Sequence, residues 1–256
     1  MSCGAEYFDE GVLLFDSAKY AKAIENFDKA IQCEHNIEEA LLKKSHSLIC
    51  LGKYSDAIDC FDKCLRINSN CAEAYIYKGV CYMENGRTKE ATRLFVKANR
   101  INVDLNDWNS LLIKGLTLKF LAVKDKAIEF VDRSLRIHPT PEAFKIKGDI
   151  LWETNQPTKA LESYNMAIDL NENYFVAHWN KGSLLHSLEK YNDAIKSYNR
   201  AISLNPTSAI YKEKAEAHLA LKEKEKAVQC YINAISLNPD DQDSRNRMNL
   251  ILDKTY

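Results

Sequence analysis

The chain has 256 residues, 46% hydrophobic and 28% charged, with a formal net charge of −1. That balance supplies a sizeable core but no field that would gather nucleic acid or an anionic membrane, so neither is an expected partner. No apolar run approaches the roughly 18 residues a spanning helix needs, and the start, MSCGAEYFDEGVLLF, lacks the basic region of a signal peptide.

The eight cysteines, at 3, 33, 50, 60, 64, 71, 81 and 230, form no CxxC and no disulfide framework. Reduced thiols and a cytoplasmic location are expected. Eight glycines and five prolines are too few for a loop-rich or all-β chain.

In chain order one pattern returns seven times: KYAKAIENFDKAI (Lys19–Ile31), KYSDAIDCFDKCL (Lys53–Leu65), RTKEATRLFVKAN, VKDKAIEFVDRSL, QPTKALESYNMAI, KYNDAIKSYNRAI (Lys190–Ile202) and EKEKAVQCYINAI. Each holds a small anchor, a bulky residue four later and a small residue three beyond. The anchors Ala23, Ala57, Ala91, Ala127, Ala160, Ala194 and Ala227 are 34, 34, 36, 33, 34 and 33 residues apart. Twelve residues before each stands another small residue: Gly11, Ser45, Gly79, Gly115, Gly148, Gly182 and Ala215. A glycine inside a helical pattern costs about 1 kcal/mol against alanine, so its recurrence implies two helices brought close together. Gly52 and Gly86 fall between paired helices, where a C-cap favours positive φ. Pro139, Pro206 and Pro239 close three units.

These features predict seven antiparallel helix pairs, over about 4–37, 38–71, 72–105, 108–140, 141–174, 175–207 and 208–241, in a single domain of residues 1–256. Asp240, Asp241 or Ser244 would cap a final helix over 242–256 that buries Met248, Ile251 and Leu252. The one 36-residue interval adds two residues around Asp104–Asp107, read either as a tolerated surface insertion or as a division of the array into blocks of three and four pairs.

The units resemble the tetratricopeptide repeat, with unit six carrying Trp179, Gly182, Leu185, Tyr191, Ala194, Tyr198, Ala201 and Pro206. Lysine replaces the usual leucine before the small residue at 44, 78, 114, 147, 181 and 214. That dialect looks like prokaryotic, especially archaeal, members. The resemblance implies an all-α solenoid, a right-handed superhelix whose first helices line a concave channel. It implies a non-catalytic scaffold that binds a peptide segment or partner helix there.

At the channel positions, units three and four place Ile76, Tyr77, Val80, Met83, Leu112, Ile113, Leu116, Lys119 and Phe120. Units five to seven place Lys145, Asp149, Trp152, Trp179, Asn180, Ser183, His186, Lys212, Glu213 and Glu216. Tyr77, Phe120, Trp152 and Trp179 are the candidate anchors; Lys145 and Asn180 are the candidate polar contacts. The family's clamp for a carboxylate terminus is disfavoured, because Asp149 stands where an asparagine belongs and Ala209 and Glu213 replace basic groups. Two alternatives stand beside the scaffold reading. One is homo-oligomeric self-assembly, favoured by a first unit that starts almost at Met1. The other is a thiol or metal sensor at Cys60 and Cys64, spaced i, i+4. Since no second ligand pair, HExxH, P-loop or GxSxG motif is present, neither enzyme activity, a cofactor nor a metal is expected.

Overall fold

The computed structural model describes residues 3–102 and 104–253, in which all regular secondary structure is helical. The paired helices are α1 (Cys3–Asp16) with α2 (Tyr20–Gln32), α3 (Ile37–Cys50) with α4 (Tyr54–Ile67), α5 (Ala72–Glu84) with α6 (Thr88–Arg100), and α7 (Trp108–Phe120) with α8 (Lys124–Ile137). Then follow α9 (Pro141–Glu153) with α10 (Pro157–Leu170), α11 (Phe175–Ser187) with α12 (Tyr191–Leu204), α13 (Ser208–Ala220) with α14 (Lys224–Leu237), and α15 (Gln242–Asp253). The chain is an all-α solenoid.

Each second helix buries one stripe. All seven anchor alanines are fully buried, as are the residues four later, Phe27, Phe61, Phe95, Val131, Tyr164, Tyr198 and Tyr231, none more than 2% exposed. Burial of each such side chain stabilises by roughly 1.5–3 kcal/mol. The mid-helix glycines receive these groups. A Cβ built on Gly11, Gly79, Gly148 or Gly182 would stand 2.5–2.7 Å from the ring of Phe27, Phe95, Tyr164 or Tyr198. The residues before Pro139, Pro206 and Pro239 are extended and end their helices as expected.

Contacts divide the chain into two compact units, Met1–His138 and Pro139–Tyr256. The first contains four helix pairs and the second three pairs with α15. The lengthened turn near Asp104–Asp107 therefore lies inside the first unit and does not mark the joint. Its local effect is a sparser packing of α6 on α7 than of α2 on α3 or α4 on α5.

The turn inside each pair needs one residue at positive φ. Gly52 and Gly86 supply it at 71° and 72°, but Ala18, Ala122, Asn155, Glu189 and Lys222 adopt 57–62° in the other five pairs. For a residue with a Cβ this conformation costs roughly 1–2 kcal/mol. Glu189→Gly removes that strain at an exposed site and adds some unfolded-state entropy. A net stabilisation of about 0.5–1 kcal/mol is expected, read as a higher urea midpoint.

Asp241 caps α15. Its carboxylate accepts from the Ser244 amide at 3.1 Å, from Ser244 Oγ at 2.9 Å and from Ser208 Oγ at 2.9 Å, with Lys212 Nζ 3.4 Å away. Met248 and Ile251 pack on Ala215 and Tyr231 as expected. Leu252 does not join them: it is 44% exposed, and buried Ser244 lies beneath the helix start instead. Residues 254–256 of the expected capping helix lie outside the described residues. Burial alone would raise the Asp241 carboxyl, but the bonds from Ser244 and Ser208 and the Lys212 charge hold it below the usual carboxylate value. A depressed folded pKa contributes stability above the unfolded value of about 3.9 that is lost as pH falls through the folded one. Fraying of α15 below about pH 4 is expected, and Asp241→Ala should produce it at neutral pH with a loss of about 1–2 kcal/mol, followed by amide exchange.

Candidate functional site

In the Pro139–Tyr256 unit the first helices α9, α11 and α13 are joined side by side through two carboxylates. On α9, Lys145, Asp149 and Trp152 recur at i, i+4 and i+7 and so share one face. Asp149 accepts from Lys145 Nζ at 2.9 Å, from Tyr164 Oη on α10 at 2.8 Å and from Asn180 Nδ2 on α11 at 2.8 Å. One helix further, Glu213 on α13 accepts from Trp179 Nε1 at 2.9 Å, from Tyr198 Oη at 3.0 Å and from Ser183 Oγ. Both phenols are pushed above their usual value, first by burial and then by the carboxylate each one meets. Burial pulls the Lys145 ammonium down, but the Asp149 charge and bond outweigh it and hold it above the usual lysine value.

The two carboxylates differ in charge balance. Asp149 is paired with a lysine. Glu213 receives only neutral donors, and no described cation lies within ion-pair distance of it. Trp152 is half-buried, and its indole N–H donates to no described protein group. Near the end of α11, His186 rests edge-on against Tyr191 at 5.3 Å.

In the Met1–His138 unit the candidate residues separate by depth. Ile113 and Leu116 are 8% and 6% exposed and serve as core, together with Ile76 and Leu112. Val80, Tyr77, Lys119 and Phe120 are half-buried, and Met83 is exposed. Phe120 stacks on Phe95 with ring centres 4.6 Å apart, and Lys119 Nζ lies 5.2 Å from the Phe120 ring. Tyr77 meets the His46 ring edge-on at 4.3 Å. Burial, aided by the Lys43 charge, pulls His46 down to about 3. The Glu73 carboxylate 3.5 Å from Nε2 acts the other way, but it makes no hydrogen bond there, so desolvation decides and the ring is neutral at pH 7.

Several structural contacts escaped sequence reasoning. Lys44, Lys78 and Lys114, noted only as replacements for a leucine, reach back to the preceding pair: Lys44 to Asp28 at 2.5 Å, Lys78 to Asp62, and Lys114 to the Asn99 carbonyl at 2.6 Å. For Lys44 and Lys78 the available signal was an aspartate 16 residues earlier; Lys114 has alanine there and offered none. Where α6 packs thinly on α7, a hollow of about 190 Å³ is bordered by Cys71, Glu73, Ala98, Ile113, Lys114 and Thr117. Cys64 touches Cys71, not Cys60, through its thiol.

Models of the tetratricopeptide repeat match residues 42–98, 143–174, 176–208 and 209–241. The chain belongs to the tetratricopeptide repeat family, whose members are generally protein-interaction scaffolds. It is similar to a TPR repeat-containing protein of Methanocaldococcus jannaschii, 32% identical over 32% of this chain and 16% of that one. A human protein O-mannosyl-transferase is 37% identical over 24% of this chain and 8% of its own length. The chain thus matches under a fifth of either curated relative. Among solved structures, a chain of the APC/C hetero-tetramer Cut9–Hcn1 superposes with a TM-score of 0.61 at 17% identity, over 94% of this chain and 48% of that one. A tetratricopeptide repeat protein of Parabacteroides merdae gives 0.59 at 17%, over 97% and 98%. YrrB, described as having an unusual peptide-binding site, gives 0.50 at 20%, over 74% and 97%. At these identities the likeness concerns the fold. Among the described residues no helix is long and apolar enough to cross a membrane.

Proposed function

We propose that the chain is a non-catalytic scaffold that receives an extended or helical protein segment along the first helices of its repeats. The observation that carries this reading is Trp152. It is a large, half-buried ring whose N–H finds no partner among the described residues, and it shares its helix face with Lys145 and Asp149, the latter bonded to Asn180 on α11. Tryptophan with a free polar edge beside apolar contacts suits an interface anchor. Trp179 and Ser183 frame Glu213, whose uncompensated charge favours a segment bearing lysine or arginine over a carboxylate terminus. In the other unit Tyr77, Val80, Lys119 and Phe120 offer an apolar counterpart, with Ile113 and Leu116 beneath them as support. His186 is placed at the far end of the α11 face. The peptide-binding character of YrrB agrees with this mode.

A random peptide display library tests it. Wild type should enrich segments that combine an apolar residue with lysine or arginine, and Trp152→Ala should weaken the selected peptides more than about 10-fold. Enrichment of free acidic C-termini, or affinity unchanged by Trp152→Ala, would refute the reading. Sedimentation across a concentration series tests the homo-oligomeric alternative: association abolished by Trp152→Ala would make a second copy the occupant of this face.

A further inference from the structure

Seven copies of one unit provide an internal control for each departure from the pattern. Seven residues after each anchor the copies hold Ala30, Cys64, Ala98, Ser134, Ala167, Ala201 and Ala234. Just before three of the later first helices and α15 stand Asp107, Thr140, Thr207 and Asp241, each accepting a bond from the opening turn. The corresponding residue before α5 is Cys71, which offers a sulfur to the Ala74 amide where those helices offer an oxygen. Cys64 stands where five repeats hold alanine, Cys71 stands where four helices carry an oxygen cap and Asn36 and Tyr174 carry none, and both cysteines fall at one joint.

They converge there. The Cys64 and Cys71 thiols are in contact, and together with a Glu38 carboxylate oxygen their donor atoms all lie within 4.8 Å of one another. Cys64 is fully buried and Cys71 is 8% exposed. The carboxylate is oriented by Asn68, whose Nδ2 donates to Glu38 Oε1 at 2.8 Å. Tetrahedral coordination with two sulfurs at about 2.3 Å and an oxygen at about 2.0–2.2 Å separates donors by about 3.5–3.8 Å. Side-chain adjustment of about 1 Å or less reaches that spacing. Cys71 also borders the 190 Å³ hollow, so water can reach a fourth position. Cys60 is buried on the same helix but stands outside the cluster.

We propose that Cys64, Cys71 and Glu38 bind one borderline-soft divalent cation of the zinc class, with water from the hollow as fourth ligand. Each thiol releases one proton to solvent as its sulfur coordinates, and Asn68 holds the Glu38 carboxylate in place. The cation links α3, α4 and α5, joining two successive repeats at the turn between them.

The full chain, reduced and held without oxygen, is titrated with Co²⁺ as the probe and then with Zn²⁺. One Co²⁺ per chain is expected, with thiolate-to-cobalt absorption that Zn²⁺ abolishes. Cys64→Ala and Cys71→Thr install residues that other repeats carry at these positions, and each should remove the absorption while Cys60→Ala retains it. Asn68→Ala should weaken binding about 10–100-fold. If Cys64→Ala loses its helical signal, Cys71→Thr decides alone. No thiolate absorption in reduced wild type, retention in Cys71→Thr, or loss in Cys60→Ala would each overturn the proposal. So would a Cys64–Cys71 disulfide that persists in reductant and excludes the metal.

Discussion

Gly115→Ala is expected to destabilise the Met1–His138 unit more than alanine at any of the other mid-helix glycines. Two opposing effects set the result. Alanine gains about 1 kcal/mol of helix propensity over glycine, whereas overpacking a tight contact costs about 1–3 kcal/mol. At Gly11 the three atoms nearest the built Cβ all belong to the Phe27 ring, and a ring can shift along its helix. At Gly115 it stands 2.6 Å from Val131 Cγ2, 3.1 Å from the Ala127 carbonyl oxygen and 3.3 Å from the Val131 amide nitrogen. Those last two atoms belong to the backbone of α8, so relief requires the helices to separate. We expect Gly11→Ala to be nearly neutral, Gly115→Ala to cost about 1–2 kcal/mol, and Gly115→Leu about 3 kcal/mol or more. Ala215, which packs with Tyr231, shows that a pair with a ring opposite accepts a Cβ. Urea unfolding with amide exchange in α7 and α8 gives the ranking. Val131→Ala should recover part of the Gly115→Ala loss, because both act on one contact. Equal effects at Gly11 and Gly115 would mean that ring position, not backbone approach, limits the pairs.

How much of the fold the sequence reveals follows from the same contacts. A glycine, serine or alanine twelve residues before a second small residue records close helix approach, and that constraint returns in every unit. Gly52 and Gly86 announce their turns, but Ala18, Ala122, Asn155, Glu189 and Lys222 take the same positive φ without any such letter. Only their register of about 34 residues betrays them. The candidate surface was legible in position and not in bonding. Asn180 lies 31 residues from Asp149, and Trp179 lies 34 from Glu213. No helical period connects such pairs, since the contact exists only after neighbouring repeats stack. For the same reason Lys145, Asp149, Asn180, Trp179 and Ser183 read as separate contacts for a partner, whereas the fold satisfies most of their polar groups internally. Trp152 differs in retaining its N–H. Ile113 and Leu116 were misjudged in depth because α7 is apolar on nearly every side, which hides which face is buried.

Asp149→Ala should be among the most damaging single polar substitutions in the Pro139–Tyr256 unit. Three donors from three elements converge on that carboxylate: Lys145 from α9 itself, Tyr164 from α10 and Asn180 from α11. Its side chain is 13% exposed and that of Lys145 24%, so water replaces the lost partner poorly. Removing one member of a buried ion pair costs about 3–5 kcal/mol when the partner stays buried. Partial exposure of Lys145 reduces this to about 2–4 kcal/mol for Asp149→Ala. Tyr164→Phe removes one donor and leaves the carboxylate two others, so about 1 kcal/mol is expected. Lys145→Met removes the ammonium and keeps the Tyr164 and Asn180 donors, so its effect should fall between them. Glu213→Gln provides the contrast. Its donors are all neutral; an amide keeps its oxygen on the Trp179 N–H while its Nε2 donates to the two hydroxyls, which can accept, and a loss of about 1 kcal/mol is expected. The same change removes the charge proposed to attract a basic segment. Glu213→Gln should therefore weaken lysine- or arginine-bearing peptides while the urea midpoint moves little, whereas Asp149→Ala should lower both. If Asp149→Ala proves as mild as Tyr164→Phe, the three-donor arrangement does not join α9 to α11, and the first helices are held together by their apolar contacts alone.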